Sequence, residues 1–265
     1  MAVLAELEKI WYFMKRDVVS FSTYKTNILV LLITAVFGAL SFAFVGQSSV
    51  NLAVTEQYGT NYTTYLIIGL AFNTYLGQAL TLVQKTINPW ALEEVLVSPT
   101  GLATFIIGSS IWGFIWSTAV VAIYLLLGVF AFGIALSINI AGTLIVLALG
   151  IGIFIGFSMI GSGILILTKQ GDPITALITI ATSVFGNVLF PASVLPPLLR
   201  TIAYIAPPYY FFTCIRQTLL GWSFLRILPN LEILALMCAI IVPVGYAVYA
   251  WCMKTARKNG TLSWF

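Results

Sequence analysis

Charged side chains are scarce in this chain, and histidine is absent. Asp, Glu, Lys and Arg make up 8% of the 265 residues, against about a quarter in a soluble domain. Three cysteines are an odd number and do not form a disulfide framework by themselves. Without histidine, the usual general base and commonest metal ligand is missing. These absences argue against a water-soluble fold and against a histidine-dependent or metal-dependent enzyme.

Long apolar stretches take the place of the missing charges. Hydrophobic residues make up 60% of the chain, and the windows 26–55, 57–84, 95–168, 173–199 and 233–253 contain no Asp, Glu, Lys or Arg. A membrane-spanning helix takes about 20 mostly apolar residues. We therefore predict an all-α integral membrane protein with a single domain over residues 1–265. Its six spans are expected near 27–47, 64–84, 104–127, 143–168, 174–190 and 232–253.

The basic residues indicate the orientation, because they collect on the cytoplasmic side of a membrane. With the N-terminus inside, three basic residues fall outside the cell: Arg200, Arg216 and Arg226. Nine fall in the cytoplasm, namely Lys9, Lys15, Arg16, Lys25, Lys85, Lys169, Lys254, Arg257 and Lys258. We predict a multi-pass protein of the cell membrane with both termini cytoplasmic. The basic residues form no separate patch, so no nucleic-acid partner is expected.

The N-terminal segment 1–26 has the pattern of an amphipathic helix. Lys9 and Arg16 share one face, and the opposite face carries Leu4, Leu7, Trp11, Met14 and Val18. Such a helix suits the membrane interface. A helix packed against its own protein is an equal alternative, and both can hold together.

A short helix is predicted at 89–97, between the second and third spans on the cytoplasmic side. Asn88 suits the N-cap and Pro89 the first helical position, and Ser98 precedes a proline that ends the helix. The helix presents six apolar and acidic residues: Trp90, Leu92, Glu93, Glu94, Val95 and Leu96. It either inserts into a groove of a soluble partner or lies against the bilayer as a capped loop helix.

Two motifs resemble those of ABC-transporter type-2 permeases. The run Leu92-Glu93-Glu94-Val95-Leu96-Val97-Ser98-Pro99 resembles the Leu-Glu-x-Leu-Leu-x-Ser-Pro motif of that family. The family's second run, Phe-Pro, Leu-Pro, Pro-x-x-Tyr, Arg and Gly, is matched by Phe190-Pro191, Leu195-Pro196, Pro207, Tyr210, Arg216 and Gly221. The segment before Leu92 departs from the pattern, since the family's charged run and Gly-Thr are replaced by Asn-Pro-Trp-Ala.

The resemblance implies an ATP-driven assembly. Such permeases pair as dimers, here expected to be homodimers, and bind two copies of a cytoplasmic ABC ATPase subunit. Segment 89–97 would be the coupling helix, in which Glu93 bonds to the ATPase while Leu92 and Leu96 pack against it. The chain itself would bind no cofactor, because ATP and Mg would belong to the ATPase subunit.

The source of energy can also be argued from the residues. A P-loop requires Gly-Lys followed by Ser or Thr, and no Gly-Lys pair occurs in these 265 residues. We therefore expect no ATPase site of its own and no enzymatic activity. An ion-coupled carrier usually keeps ionisable residues within its spans, whereas here Glu232 lies only at the end of one. An ATP-independent secondary transporter is thus disfavoured but stays open, as does a scaffold subunit.

Polar stripes in the second and fifth spans are the candidate substrate pathway. Their residues are Asn73, Thr74, Gln78 and Thr81 in one span, and Thr179, Thr182 and Asn187 in the other. Polar residues facing lipid are costly, so the stripes face protein or a cavity. Helix–helix contact is the alternative to a pathway, which the resemblance favours.

The character of the stripes indicates the substrate. Uncharged polar groups suit a hydrophobic or amphipathic substrate such as a drug, antibiotic, peptide or lipid, exported by alternating access. An exporter of polysaccharide or lipid-linked glycan is the rival, because a sugar chain needs aromatic residues. The spans contain Tyr65, Phe72, Tyr75, Trp112 and Trp116.

Segment 191–226 is too rich in proline to cross the bilayer, and its aromatic residues suit an interface. Following the family, we expect a re-entrant helical hairpin in the outer leaflet, with Phe190, Pro191, Arg200, Tyr210 and Arg216 as its marker residues. Arg200, Arg216 and Arg226 are expected to reach water or lipid headgroups. Gly152 and Gly156, at small-xxx-small spacing in the fourth span, predict close helix packing.

Overall fold

The computed structural model describes residues 2–23, 25–48, 52–81, 102–168 and 173–258. Helices make up 89% of the structure, and those ranges contain no strand. In chain order the elements are α1 (Ala2–Thr23), α2 (Lys25–Ser48), α3 (Leu52–Tyr58), α4 (Tyr62–Thr81), α5 (Leu102–Phe132), α6 (Ile140–Thr168), α7 (Pro173–Phe185), a 3-10 turn (Ala192–Val194), α8 (Pro197–Ile205), α9 (Pro207–Leu219) and α10 (Phe224–Lys258). The prediction of an all-α fold is confirmed.

Four helices in the described residues are long and apolar enough to cross a membrane. They are Ile28–Ser48, Ile111–Phe132, Ile140–Thr168 and Phe224–Ala256. These correspond to the first, third, fourth and sixth predicted spans. The helices at the second and fifth predicted spans are not among these four. Helix α4 is less apolar than they are, and α7 is shorter.

Helix α4 lies in the middle of the bundle. It contacts α2, α5 and α6, and residues along most of its length are buried, including Tyr65, Phe72 and Leu76. Polar residues lower the hydropathy of this helix, and they are tolerated because other helices surround it. Helix α7 is limited by length instead. Its 13 residues extend about 20 Å, which is less than the roughly 30 Å of a hydrocarbon core.

The most extensive helix–helix contact joins α6 and α10, and glycine makes it possible. A Cβ on Gly152 would lie 2.9 Å from Sγ of Cys238, and one on Gly156 would lie 2.8 Å from Cγ2 of Ile241. Both glycines therefore sit where any larger residue would collide with α10. The predicted close packing at these two glycines is confirmed.

The N-terminal helix α1 packs along α5. Trp11 and Tyr12 nevertheless remain exposed, at 59% and 67% of their surface. The predicted helix is present and does rest on its own protein. Exposed Trp and Tyr side chains are typical of a helix at the membrane interface, so the interfacial position predicted as the second possibility is compatible with this packing.

Two short helices occupy most of segment 191–226. Helices α8 and α9 have 9 and 13 residues, and the extended backbone of Ala206 separates them. Each begins with a proline, which suits the first turn because its φ is already helical and its missing N–H has no partner there. Neither is long enough to span a bilayer, as the sequence predicted. Helix α9 is almost wholly buried, from Phe211 to Leu219.

Candidate functional site

The predicted ATPase-coupling residues, Trp90, Leu92, Glu93, Glu94, Val95 and Leu96, lie outside the described residues. Their roles stay predictions. The described part of the chain does contain both polar stripes and the whole of segment 191–226, and the candidate site is built from these.

The polar stripe of α4 is only partly open. The hydroxyls of Thr74 and Thr81 donate to carbonyls of their own helix, at 2.6 Å from Ala71 O and 3.2 Å from Gly77 O. Gln78 lies against α5, since a Cβ on Gly113 would be 3.1 Å from its Oε1. Three of the four stripe residues, Thr74, Gln78 and Thr81, thus have partners in the protein.

Asn73 is the polar residue of α4 best placed to meet a substrate. It is half-buried, and its amide makes no hydrogen bond with the residues that the structure describes. An amide offers both donors and acceptors. In this environment it can therefore bind a passing polar group without first breaking a bond within the protein.

The stripe of α7 divides between buried and exposed positions. Thr175 and Thr182 are buried, whereas Thr179 is exposed and donates to Thr175 O at 2.7 Å. The buried hydroxyl of Thr182 has no hydrogen-bond partner among the described residues. A buried hydroxyl without a partner is costly, and a bound polar group would remove this cost. Thr182 is therefore the residue of this stripe best able to form a new hydrogen bond.

Asn187 is held in a buried network rather than on an open face. It follows α7 with a φ of 63°, a left-handed conformation that asparagine tolerates better than most residues. Its Nδ2 donates to the Tyr58 hydroxyl at 3.0 Å and to Thr213 Oγ1 at 3.3 Å. Its Oδ1 accepts from the Tyr65 hydroxyl at 2.8 Å and from the Ala192 amide at 3.1 Å. The side chain is enclosed in this conformation, with 1% exposed.

Arg216 is the largest fully buried side chain in the described residues, with 0% exposed. Its guanidinium donates to Tyr65 O at 3.2 Å, to Val188 O at 2.9 Å and to Phe212 O at 3.3 Å. It also lies 3.6 Å from the centre of the Tyr65 ring. The expectation that Arg216 reaches water or headgroups is therefore wrong. Carbonyl oxygens and an aromatic face stabilise the charge in place of water.

Together these contacts join three separate parts of the chain, which we call the Arg216 network: Tyr58 and Tyr65 before and within α4, Asn187 and Val188 after α7, and Thr213 and Arg216 in α9. Asn187 and Arg216 are among the site residues predicted from the sequence, whereas Tyr65 is predicted only for a glycan channel and Tyr58 not at all. The spacing of the tyrosines is a usable signal, because Tyr58, Tyr62 and Tyr65 recur at four and three residues. Tyr62 extends the same contacts by donating to Leu189 O at 2.7 Å.

The other marker residues of segment 191–226 make local contacts. Arg200 donates to Ser193 O at 2.6 Å and to Leu195 O at 3.1 Å, which holds the turn before α8. Tyr210 donates to Tyr204 O at 2.8 Å, across the break between α8 and α9. Phe190 is half-buried and Pro191 is buried. Arg226 is exposed and stacks on Trp222 at 3.9 Å from the ring centre, so it is free to reach solvent as expected.

The aromatic residues considered for a glycan channel are not arranged along one open surface. Tyr65 and Phe72 are buried at 0% and 3% exposure. Tyr75, Trp112 and Trp116 are half-buried, and the Tyr75 ring packs 5.4 Å from that of Phe114. In a single chain, these rings contribute mainly to packing between helices.

The described residues thus form a helical bundle with uncharged polar side chains on α4 and α7, next to the buried Arg216 network. The amide and hydroxyl groups of the two stripes can form hydrogen bonds with a bound molecule. A family model described as ABC-2 type transporter matches residues 8–220. No curated protein matches the chain significantly. Because the matched region covers well over half of the sequence, the chain belongs to the ABC-2 type transporter family, as a transmembrane component that is not itself the ATPase.

Proposed function

We propose that this chain is the membrane subunit of an ATP-driven exporter. The observation that carries the proposal is the family match over residues 8–220. The sequence supports it, because without a Gly-Lys pair these 265 residues cannot build a P-loop. ATP and Mg then belong to a separate ABC ATPase subunit. The proposed assembly contains two copies of that subunit and two copies of this chain, as a homodimer in the cell membrane.

The proposed topology has six spans with both termini in the cytoplasm. Four described helices have the length and composition of spans. Helix α4 is the proposed second span, since its 20 residues extend about 30 Å within the bundle. Helix α7 would complete the fifth crossing together with the chain that leads into the Arg216 network. Helices α8 and α9 are the proposed re-entrant hairpin on the outer side.

The proposed substrate is hydrophobic or amphipathic, such as a drug, antibiotic, peptide or lipid. The half-buried amide of Asn73 and the unpaired hydroxyl of Thr182 are polar but uncharged, and each lies on a mostly apolar helix. Thr74, Gln78, Thr81 and Thr179 are further members of the proposed pathway, whereas Asn187 contributes only in a state that opens its network. Alternating access between two chains would expose the surface to each side in turn.

The rival functions receive less support. A glycan exporter of the same family would require an open aromatic lining, and two of the five candidate rings, Tyr65 and Phe72, are buried. A secondary transporter would not need an ATPase partner, whereas this family normally pairs with one.

Replacement of Glu93 by alanine tests the ATPase partnership. We expect the variant to bind the ATPase about tenfold or more weakly, because Glu93 is proposed as a hot spot of this interface and truncation of a hot spot costs about 2 kcal/mol or more. The measurement is co-purification of the ATPase with the tagged chain in mild detergent, with ATP hydrolysis as the second readout. Glu56→Ala is the matched control, since Glu56 is exposed on α3, far along the chain from segment 89–97. Normal ATPase recovery and normal transport in Glu93→Ala would exclude the coupling role.

Replacement of Asn73 by tryptophan tests the pathway. We expect transport to fall several-fold while the ATPase still co-purifies, because the added ring fills space beside a group proposed to meet the substrate. Transport into inside-out vesicles is the measurement. Leu126→Trp adds a similar bulk on the exposed surface of α5 and should leave transport unchanged. Equal transport by Asn73→Trp and wild type would assign the α4 stripe to helix packing.

A further inference from the structure

A cavity of about 490 Å³ opens at one end of the bundle. It lies where α2 ends, where α4 begins and beside the loop between α5 and α6. Its volume is in the range of small-molecule sites. Most of its polar wall comes from the start of α4 and the segments next to it: Gln47, Tyr58, Thr60, Asn61, Thr63 and Thr64. The substrate pathway proposed above uses none of these residues.

The first turn of α4 forms one wall of this cavity. The helix begins at Tyr62, so the amides of Tyr62, Thr63 and Thr64 have no carbonyl of their own helix one turn earlier to accept their hydrogen bonds. The Tyr65 amide, in contrast, donates to Asn61 O at 3.2 Å. Asn61 precedes the helix, but its side chain makes no hydrogen bond in the described part of the chain. The helix dipole adds partial positive charge at the same place. A helix start of this kind favours an anion.

Two buried threonines provide an independent sign of a ligand. Thr63 and Thr64 line the cavity and are 7% and 4% exposed, yet neither hydroxyl has a hydrogen-bond partner among the described residues. Other helical threonines donate to the carbonyl one turn back, as Thr118 and Thr143 do at 2.8 Å. Thr63 and Thr64 lie in the first turn and make no such bond. Both threonines line the cavity, and neither hydroxyl oxygen is among the fully enclosed unpaired atoms; Thr63 Oγ1 also lies beside Gly46 of α2, where a Cβ would be 2.9 Å away.

Two glycines in a left-handed backbone conformation are among the residues that line the cavity. Gly59 and Gly133 both line it and have positive φ values of 66° and 64°. A Cβ at either position would meet no atom within 4 Å. Both positions have a backbone conformation that favours glycine. Glycine also leaves no side chain there to reduce the volume of the cavity.

We propose that this cavity binds the phosphodiester group of a phospholipid. The phosphate oxygens accept hydrogen bonds from the first amides of α4 and from the hydroxyls of Thr63 and Thr64. Among the described residues that line the cavity there is neither a carboxylate, which would repel an anion, nor a Lys or Arg. A singly charged diester is easier to desolvate in such a site than a doubly charged phosphate. The apolar span of α2 ends at Ser48, next to the lining residue Gln47, which places the cavity at the level of lipid headgroups.

Thermal unfolding of the purified full chain in neutral detergent tests the site. The probes are dihexanoyl phosphatidylglycerol, inorganic phosphate, and dihexanoylglycerol, which lacks the phosphate. We expect the phosphatidylglycerol to raise the midpoint of unfolding in a saturable manner. In the double variant Thr63→Val, Thr64→Val the apparent affinity should fall about tenfold or more, because two hydrogen bonds to a charged group are lost. Valine keeps the shape of threonine.

The control variant is Thr34→Val, whose hydroxyl donates to its own helix at Val30 O and should have no effect on probe binding. Gln47→Trp is a second variant, because it obstructs the rim at an exposed position without altering the two threonines, and it should weaken binding as well. Saturable stabilisation by inorganic phosphate at similar concentration would assign the same donors to a free oxyanion. Equal stabilisation by dihexanoylglycerol, or unchanged affinity in both cavity variants, would overturn the proposal.

Discussion

Replacement of Arg216 by methionine is expected to lower the free energy of unfolding by at least about 3 kcal/mol, because a hydrogen bond to a charged group contributes about 1.5–3 kcal/mol. The guanidinium donates such bonds to three carbonyls, those of Tyr65, Val188 and Phe212, and methionine removes them all. Methionine fills a similar volume, so the loss reports the polar contacts rather than a large cavity. Denaturant titration in mixed micelles, followed by tryptophan fluorescence, measures the effect.

Two further variants make the Arg216 result specific. Arg226→Met removes an exposed guanidinium that stacks on Trp222 and should cost less than about 1 kcal/mol. Arg216→Lys retains the charge but not the planar fork of donors, so it should fall between wild type and methionine. If Arg216→Met were as stable as Arg226→Met, the Arg216 network would not hold α4, the segment after α7 and α9 together.

Replacement of Gly156 by leucine is expected to have the second largest effect, a loss of about 3 kcal/mol, at the upper end of the usual cost of overpacking. A Cβ at this position would lie 2.8 Å from Cγ2 and 3.0 Å from the carbonyl oxygen of Ile241. Gly245 of α10 in turn packs directly on the Gly156 carbonyl. Helices α6 and α10 would have to separate along their most extensive contact. The same denaturant titration reports the loss.

Gly77→Leu is the matched control for this prediction. Gly77 also lies within a helix, but a Cβ there would meet nothing within 4 Å. Leucine has a higher helix propensity than glycine, so this variant should be as stable as wild type or slightly more so. Gly156→Ala should be intermediate, since it adds one methyl group. Equal stability of Gly156→Leu and Gly77→Leu would show that α6 and α10 do not depend on close approach.

Local features were the ones that could be predicted from the sequence. The apolar windows predicted helices because burial in a bilayer depends on composition over about 20 residues. The spacing of Gly152 and Gly156 predicted a tight face because small residues four apart lie on the same side of a helix. The prolines of segment 191–226 predicted, for an equally local reason, that this segment does not cross the bilayer as one helix.

The role of Arg216 could not be predicted in the same way. Its acceptors are backbone carbonyls, and a carbonyl is present at every position whatever the side chain. Arg216 and Tyr65 are 151 residues apart in the sequence, and Arg216 and Val188 are 28 residues apart. From the sequence, Arg216 is expected to reach water or lipid headgroups, because a cation near an interface usually turns towards water. This expectation is wrong because residues 211–219 of α9 are buried.

Asn187 and Asn73 show in the same way that hydrogen-bond partners could not be predicted from the sequence. Both are asparagines in or beside predicted spans, and the sequence placed both in the pathway. The fold encloses Asn187 in four hydrogen bonds and leaves Asn73 half-buried without one among the described residues. Only the positions of Tyr58, Tyr65 and Thr213 distinguish the two.

The sequence by itself determined the membrane class, the all-helical architecture, the family resemblance and the glycine face of α6, because each depends on composition or on spacing within a single segment. The tertiary structure alone decided which polar groups are satisfied and which remain open. Hydrogen bonding in a bundle depends on partners brought together from distant helices, as Arg216 meets Tyr65 and Val188, and the same assembly leaves Asn73, Thr63 and Thr64 with free hydrogen-bonding capacity.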